Sequence, residues 1–244
     1  MDEEKQALIE ANNLTAEQLS KFYKELEKIP TDKAPIDGWT AVLCFEFMED
    51  TGLRVSETIH VKKKDINFNT RILKVTYPKT EAPCDCSRWS YKNNGRSRIK
   101  ILEYVDPYCT TCKGKGRWKK PQKTTITPRL IGKLALYCDN LGNDDLLFPV
   151  PRKRLYIWGQ KAGDKAELKI FQEKENSSIE GIFLHLFRAL CSKRMVQDAM
   201  NDAFRDQMIS KKLRHAFKTV TERYTKIDIN YLWAWEKKTY GVPS

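Results

Sequence analysis

Two hydrophobic periods alternate along the chain, and the points where one gives way to the other mark its elements. Across residues 15 to 29, Leu19, Phe22, Tyr23, Leu26 and Ile29 recur at helical spacing. Thr15 and Gln18 form a capping box that opens this helix, and Pro30 stops it. A second apolar helix is predicted over about 39 to 50, with Gly52 where a left-handed C-terminal cap belongs. Residues 65 to 77 change to period two around Asn69-Thr70, which predicts a hairpin with strands at 66 to 68 and 72 to 77. Strand character returns at 123 to 126, after which Thr127-Pro128 start a helix that runs to about Asn140, before Gly142. Helical spacing continues at 153 to 162, 184 to 203, 207 to 213 and 219 to 226, and a last aromatic amphipathic segment covers 229 to 239. Residues 81 to 118 keep neither period and are rich in Cys, Lys, Arg, Asn and Gly, so they read as an insertion. The fold class is α+β, mainly helical, with a small antiparallel sheet that the insertion interrupts.

Charge narrows the class of partner. Forty-four lysines and arginines face 32 acidic residues, a formal net charge of +12. Such an excess favours a polyanion, because cations that neutralise phosphates release condensed counterions. No run approaches the ~18 apolar residues of a membrane span. The acidic start Met1-Asp2-Glu3-Glu4 is unlike a signal peptide, so a cytoplasmic protein with no membrane partner is expected.

Seven cysteines in that setting point to reduced thiols or a metal site. Cys84-Asp85-Cys86 and Cys109-Thr110-Thr111-Cys112 are separated by 22 residues and bracket Trp89, Arg96, Arg98 and several lysines. Four thiolates at this spacing can close a tetrahedral zinc site and fold a segment that has little apolar content of its own. With no coordination position left for water, such a zinc is structural, and the insertion becomes a basic finger; the alternative is unligated thiols in a loop. Cys44, Cys138 and Cys191 fall on apolar helical faces and are expected in the core.

Three strings carry candidate chemistry. Thr51-Gly52-Leu53-Arg54-Val55-Ser56-Glu57 sets an arginine just after a helix-ending glycine, near an acid that can orient it. His185-Leu186-Phe187-Arg188 stacks an imidazole and a guanidinium on one helical face. His215 lies nine residues before Tyr224. Each alone has an ordinary structural reading: a helix corner, a satisfied histidine, a surface tyrosine.

In this order, over residues 14 to 228, the strings resemble the phage integrase, or tyrosine recombinase, family, especially integrases of archaea and their viruses. Leu147-Phe148-Pro149 leading to Arg154 and Trp158 is similar to the family's approach to its second box. The resemblance implies the recombinase catalytic-domain fold over 14 to 228, with a 1 to 13 extension, the 81 to 118 finger in a strand-strand turn, and a 229 to 244 tail helix. It implies a site-specific DNA recombinase that cuts and rejoins double-stranded DNA through a 3′-phosphotyrosyl bond to Tyr224, works as a homo-oligomer on nucleoid DNA, and needs no catalytic cofactor. Arg54 and Arg188 would clamp the scissile phosphate, while His185 and His215 bond it or share the phenolic proton. A lysine would protonate the leaving 5′ hydroxyl; Lys79 matches best, and Lys119, Lys120 and Lys123 stay open.

The chain departs from the family pattern in places. Arg214 stands where a glycine usually precedes the histidine, and the stretch from Arg188 to His215 is a few residues long. A second register, Lys211-x-x-Arg214-His215 with Tyr240 as nucleophile, also fits, but it leaves 26 residues from Arg214 to Tyr240 and discards His185 and Arg188. Two rival functions share the residue set: a type IB topoisomerase that relaxes DNA, and a non-catalytic DNA-binding regulator. Only about 13 residues precede the resemblance, where the family usually has a core-binding domain. Either this is a fragment lacking that domain or a minimal recombinase that grips through its insertion and partners, and weak, strongly salt-dependent DNA binding is expected of the isolated chain. The tail, with Tyr231, Leu232, Trp233 and Trp235, is open to docking on a neighbouring protomer or on its own domain.

Overall fold

A computed structural model describes residues 14–30, 34–78, 81–93, 98–168, 179–198, 205–213 and 229–240. The first helix, α1 (Ala16–Glu27), starts at the capping box: Thr15 Oγ1 accepts from the N–H of Gln18, and the Gln18 side chain accepts from the N–H of Thr15. Helix α2 (Gly38–Thr51) is buried along most of its length and ends at Gly52, whose φ of 62° is the left-handed cap the sequence predicts. A one-turn helix, α3 (Val55–Thr58), follows directly.

Strands β1 (Ile66–Asn67) and β2 (Ile72–Val75) pair antiparallel with Ile66 opposite Leu73. Further along the chain β7 (Gln122–Thr125) joins them in the order β1-β2-β7. β2 ends two residues before the expected Tyr77. Helix α4 (Pro128–Cys138) has proline in its first turn. It is followed by α5 (Arg152–Lys165), α6 (Ile179–Asp198), α7 (Arg205–Lys212) and α8 (Ile229–Tyr240). The helix expected at 219 to 226 lies outside the described residues.

The chain divides into two compact units, residues 1–75 with 123–244, and residues 76–122. The core of the larger unit is aromatic. Phe45 of α2 meets Phe187 of α6 edge-on at 4.9 Å, and Phe22 of α1 touches both rings. Edge-to-face pairs of this kind add about 0.5–1.5 kcal/mol beyond the area they bury. They also set the rotation of α6, and hence the direction in which its neighbour Arg188 projects. Cys44, Cys138 and Cys191 are buried in this unit, as their helical faces predict.

The smaller unit is more regular than its sequence suggests. β4 (Ser87–Asn93) and β5 (Arg98–Val105) form a long antiparallel hairpin with a register shift at Arg88/Trp89, and β3 (Ala82–Pro83) pairs with β6 (Arg117–Trp118) at its base. Reading 81 to 118 as aperiodic therefore needs correcting. The alternation in Trp89-Ser90-Tyr91 and in Arg98-Ile99-Lys100-Ile101 is obscured because both strands mix polar, aromatic and aliphatic residues. The architecture agrees with the expected mainly helical α+β class with small antiparallel sheets. Among the described residues no helix is long and apolar enough to cross a membrane.

Candidate active site

The first arginine is built in by its own turn. Arg54 is the N-cap of α3, and Glu57, three residues on, reaches back twice. One carboxylate oxygen accepts from the Arg54 backbone N–H at 2.9 Å and the other from Nη1 at 3.3 Å. The Glu57 side chain is buried, while that of Arg54 keeps 24% of its surface exposed. A guanidinium held by a carboxylate through one nitrogen and still partly exposed is suited to an incoming anion.

Just before it, Gly52 has two reasons to be glycine. Its φ is positive, and a Cβ there would lie 2.4 Å from Cδ2 of Leu213. The end of α7 therefore rests directly on the turn that carries Arg54. Arg188 fastens this contact: Nη1 donates to the Gly52 carbonyl at 2.5 Å and Nη2 to the Leu213 carbonyl, and the residue is almost wholly buried. Thr124 adds a parallel tie, donating from Oγ1 to the Lys212 carbonyl at 3.0 Å. The structure thus brings Arg54, Arg188 and the backbone leading into residue 214 together at one place. His185 sits on α6 three residues before Arg188. Lys79, Arg214, His215 and Tyr224 lie outside the described residues. Of the alternative lysines, Lys119, Lys120 and Lys123 are all exposed.

Two buried charge clusters behind this site were not foreseen. Asp50 is fully buried, accepts from the Thr127 N–H at 2.9 Å and its hydroxyl at 2.5 Å, and pairs with Arg194 at 3.3 Å. Burial alone would raise the Asp50 carboxyl; Lys212, Arg194 and the two Thr127 hydrogen bonds outweigh it and hold the group below the usual range. Lys212 is also fully buried, and its Nζ donates to Glu236 Oε1 at 2.7 Å, to the Thr125 carbonyl at 2.8 Å and to Thr125 Oγ1 at 3.0 Å. Glu236 belongs to α8, whose Leu232 is buried as well, so this helix packs on its own unit. At the end of α8, the Tyr240 hydroxyl donates to Asp198, and the ring meets Trp235 edge-on at 5.7 Å. Burial foremost, then the Asp198 bond, pushes the Tyr240 phenol well above its ordinary pKa.

In the smaller unit the four expected cysteines converge. The sulfurs of Cys84, Cys86, Cys109 and Cys112 all lie within 4.8 Å of one another, with 3.7 Å between Cys84 and Cys109 and 3.4 Å between Cys86 and Cys112. A tetrahedral zinc with Zn–S bonds of about 2.3 Å needs sulfurs about 3.8 Å apart, so the set fits that ion. The separations are too long for disulfides. Thr110 and Thr111 form the turn between Cys109 and Cys112, and Lys113 and Gly114 then take positive φ, with the Lys113 N–H bonding the Cys109 carbonyl at 2.8 Å. Hydrogen bonds from the Cys112 N–H foremost, then from the Cys86 thiol and the Thr111 N–H, draw the Cys109 thiol down to about 6. Burial foremost, then hydrogen bonds to the other three cysteines, pushes the Cys86 thiol the opposite way, so the sulfurs share a proton that a metal would displace.

The family model described as the phage integrase family matches residues 12–230. The chain belongs to that family. Among solved structures, this integrase-family chain is similar to the Tn1549 transposon integrase in complex with transposon right-end DNA, at 14% identity and a TM-score of 0.44, over 94% of this chain and 66% of that one. It is also similar to the same integrase with a circular-intermediate DNA, at 16% identity and a TM-score of 0.45, over 92% and 64%. The integrase-family chain therefore spans less than two thirds of either of those chains. No curated protein matches it.

Proposed function

We propose that this integrase-family chain is a site-specific recombinase that cleaves and rejoins double-stranded DNA through a 3′-phosphotyrosyl intermediate, with Tyr224 as the nucleophile. The observation that supports the reading is the Arg188 bridge from the Gly52 carbonyl to the Leu213 carbonyl, which joins the Arg54 turn to the end of α7. Phosphoryl transfer depends on positioning and charge stabilisation, and two guanidinium groups answer both needs. In the proposed step the Tyr224 oxygen attacks phosphorus and the bond to the 5′ oxygen breaks. His185 or His215 takes the phenolic proton, and Lys79 gives one to the departing hydroxyl. The new ester keeps the bond energy, so the reverse attack reseals DNA without ATP.

One observation favours the second register. Both terminal nitrogens of Arg188 bond main-chain carbonyls, a duty that fits an internal strut, and the second of these carbonyls belongs to Leu213, the residue before Arg214 in sequence. In that register Lys211, Arg214 and His215 face the phosphate and Tyr240 attacks, after release from Asp198. Cleavage of a nicked suicide duplex separates the two. Arg214→Lys is the discriminating variant: it retains cleavage if Arg188 is the clamp and loses about 100-fold or more in the second register, whereas Arg188→Lys lowers cleavage in both because Arg188 also fastens the Arg54 turn. A topoisomerase would relax supercoiled plasmid of any sequence, and a recombinase exchanges strands only between matching sites. Failure of the wild-type chain to cleave any duplex would leave the regulator.

The four thiols are proposed to hold a structural zinc. As isolated, the chain should carry a single zinc ion, the stoichiometry a four-thiolate site implies. Cys109→Ser should lose it and make residues 76–122 the first site of proteolysis, with the larger unit resistant. A zinc-free chain whose finger resists protease as well as before would contradict this.

A further inference from the structure

The smaller unit carries more chemistry than holding a metal requires. Between residues 76 and 122 stand eleven lysines and arginines against four acids, so this fifth of the chain holds seven of the twelve excess positive charges. Even with a divalent ion bound by four thiolates, which removes two charges, it stays strongly basic.

Its aromatic rings are placed among these cations. Trp89 and Tyr91 are two apart on β4 and so share one face of the hairpin; Leu102 is opposite the first and Lys100 opposite the second. Lys100 Nζ lies 5.2 Å from the Trp89 ring centre and 5.9 Å from that of Tyr91. The Arg117 guanidinium sits 4.5 Å over Trp89. Trp89 is fixed in place, since its Nε1 donates to Ser87 Oγ at 2.7 Å, and the Ser87 hydroxyl bonds the carbonyls of Cys84 and Gly116. The cysteine cluster thereby orients the ring. Gly116 could not be replaced cheaply: its φ is 69°, and a Cβ would press on the Leu102 side chain at 3.0 Å. Further out, Tyr91 is 65% exposed, with the Lys100 cation beside it.

From this arrangement we infer that the Trp89–Tyr91–Lys100–Arg117 face of the finger is a stacking platform for unpaired DNA bases. A duplex shows a protein its phosphates and base edges; the flat faces of bases become available only where the strand is unpaired. Cations alone would serve for the backbone. A preset indole and a largely exposed phenol in line with two cations suit a strand whose bases lie on the rings while its phosphates meet Lys100 and Arg117. The inference rests on the recombinase reading only for the source of that strand, because a cut strand must leave its complement before it can be joined elsewhere.

The test uses the full zinc-loaded chain and compares binding of a short labelled oligo(dT) with a duplex of equal length at one salt concentration. Tyr91→Ala should weaken oligo(dT) binding by about tenfold, the effect of losing one stacked base, and leave duplex binding within about twofold. Tyr91→Phe, which keeps the ring, should bind as the parent does, and Lys100→Ala should weaken both ligands. Unchanged zinc content establishes that each variant is folded at the finger. Equal weakening of both ligands by Tyr91→Ala, no effect on either, or no oligo(dT) binding by the parent would each overturn the platform. Covalent adduct formation on a suicide duplex is read separately. A chain that binds oligo(dT) through Tyr91 but forms no adduct would keep the platform and sink the recombinase reading.

Discussion

Arg54→Ala should lower strand cleavage by about 100- to 1000-fold or more, the usual cost of removing one preorganised donor to a charged transition state. DNA binding should fall far less, because one cation among many contributes only a share of the counterion release. Arg54→Lys should stay closer to alanine than to the parent: an ammonium keeps the charge but not the fork that spans two phosphate oxygens. The Arg54 turn is held by Glu57 through the backbone N–H as well as through Nη1, so the backbone frame survives the change. Single-turnover cleavage and gel-shift titration of the same preparations check this. Parallel loss of binding and cleavage would show that Arg54 is only a contact for the DNA backbone.

The second large effect falls on stability. Lys212→Ala removes the one cation bonded to Glu236 Oε1 among the described residues and leaves a buried carboxylate whose Oε2 has no hydrogen-bond partner there. Breaking a buried pair by removing one partner costs about 3–5 kcal/mol, since the remaining charge stays desolvated. Replacing both partners with apolar residues of similar size, Lys212→Met with Glu236→Leu, should recover part of that loss but not all, because the Thr125 carbonyl loses its donor and buried Asp50 loses a cation that holds it ionised. Chemical denaturation would measure both. If the single variant is as stable as the double, the pair does not act as a buried unit and α8 is not anchored through it.

Much of the frame could be read from residues. The capping box at Thr15 and Gln18, the left-handed Gly52 and Pro128 at a helix start are local rules that tertiary packing did not override. Arg54 and its partner Glu57 were legible for the same reason: the turn that sets them apart is three residues long. The cysteines converged because thiols at that spacing have few other uses. The β4–β5 hairpin escaped notice because neither of its faces is uniformly apolar, so period two leaves no clear trace in Ser87 to Asn93. The Asp50–Arg194 and Lys212–Glu236 pairs join residues far apart in the chain, which no local pattern reports. One sign was present: Lys212 lies four residues after buried Met208, and Glu236 four after buried Leu232, so each charge occupies the apolar stripe of its helix.

The bridge made by Arg188 shows what packing adds to a motif. Its spacing from His185 suggests a phosphate ligand, but the structure gives both terminal nitrogens main-chain carbonyls to hold. In the proposed recombinase, whether the same guanidinium also meets the phosphate or leaves that task to Arg214 separates Tyr224 from Tyr240 as the nucleophile.

One experiment tests both the phosphotyrosyl chemistry and the identity of the nucleophile: trapping the chain on a nicked suicide duplex and locating the attached nucleotide by peptide mass spectrometry. A covalent adduct on the Tyr224 phenol through a 3′ phosphate is expected, absent in Tyr224→Phe and reduced in Arg54→Ala. An adduct on Tyr240 would establish the second register. Cleavage that leaves no protein-bound DNA, or no cleavage at all, would contradict the account.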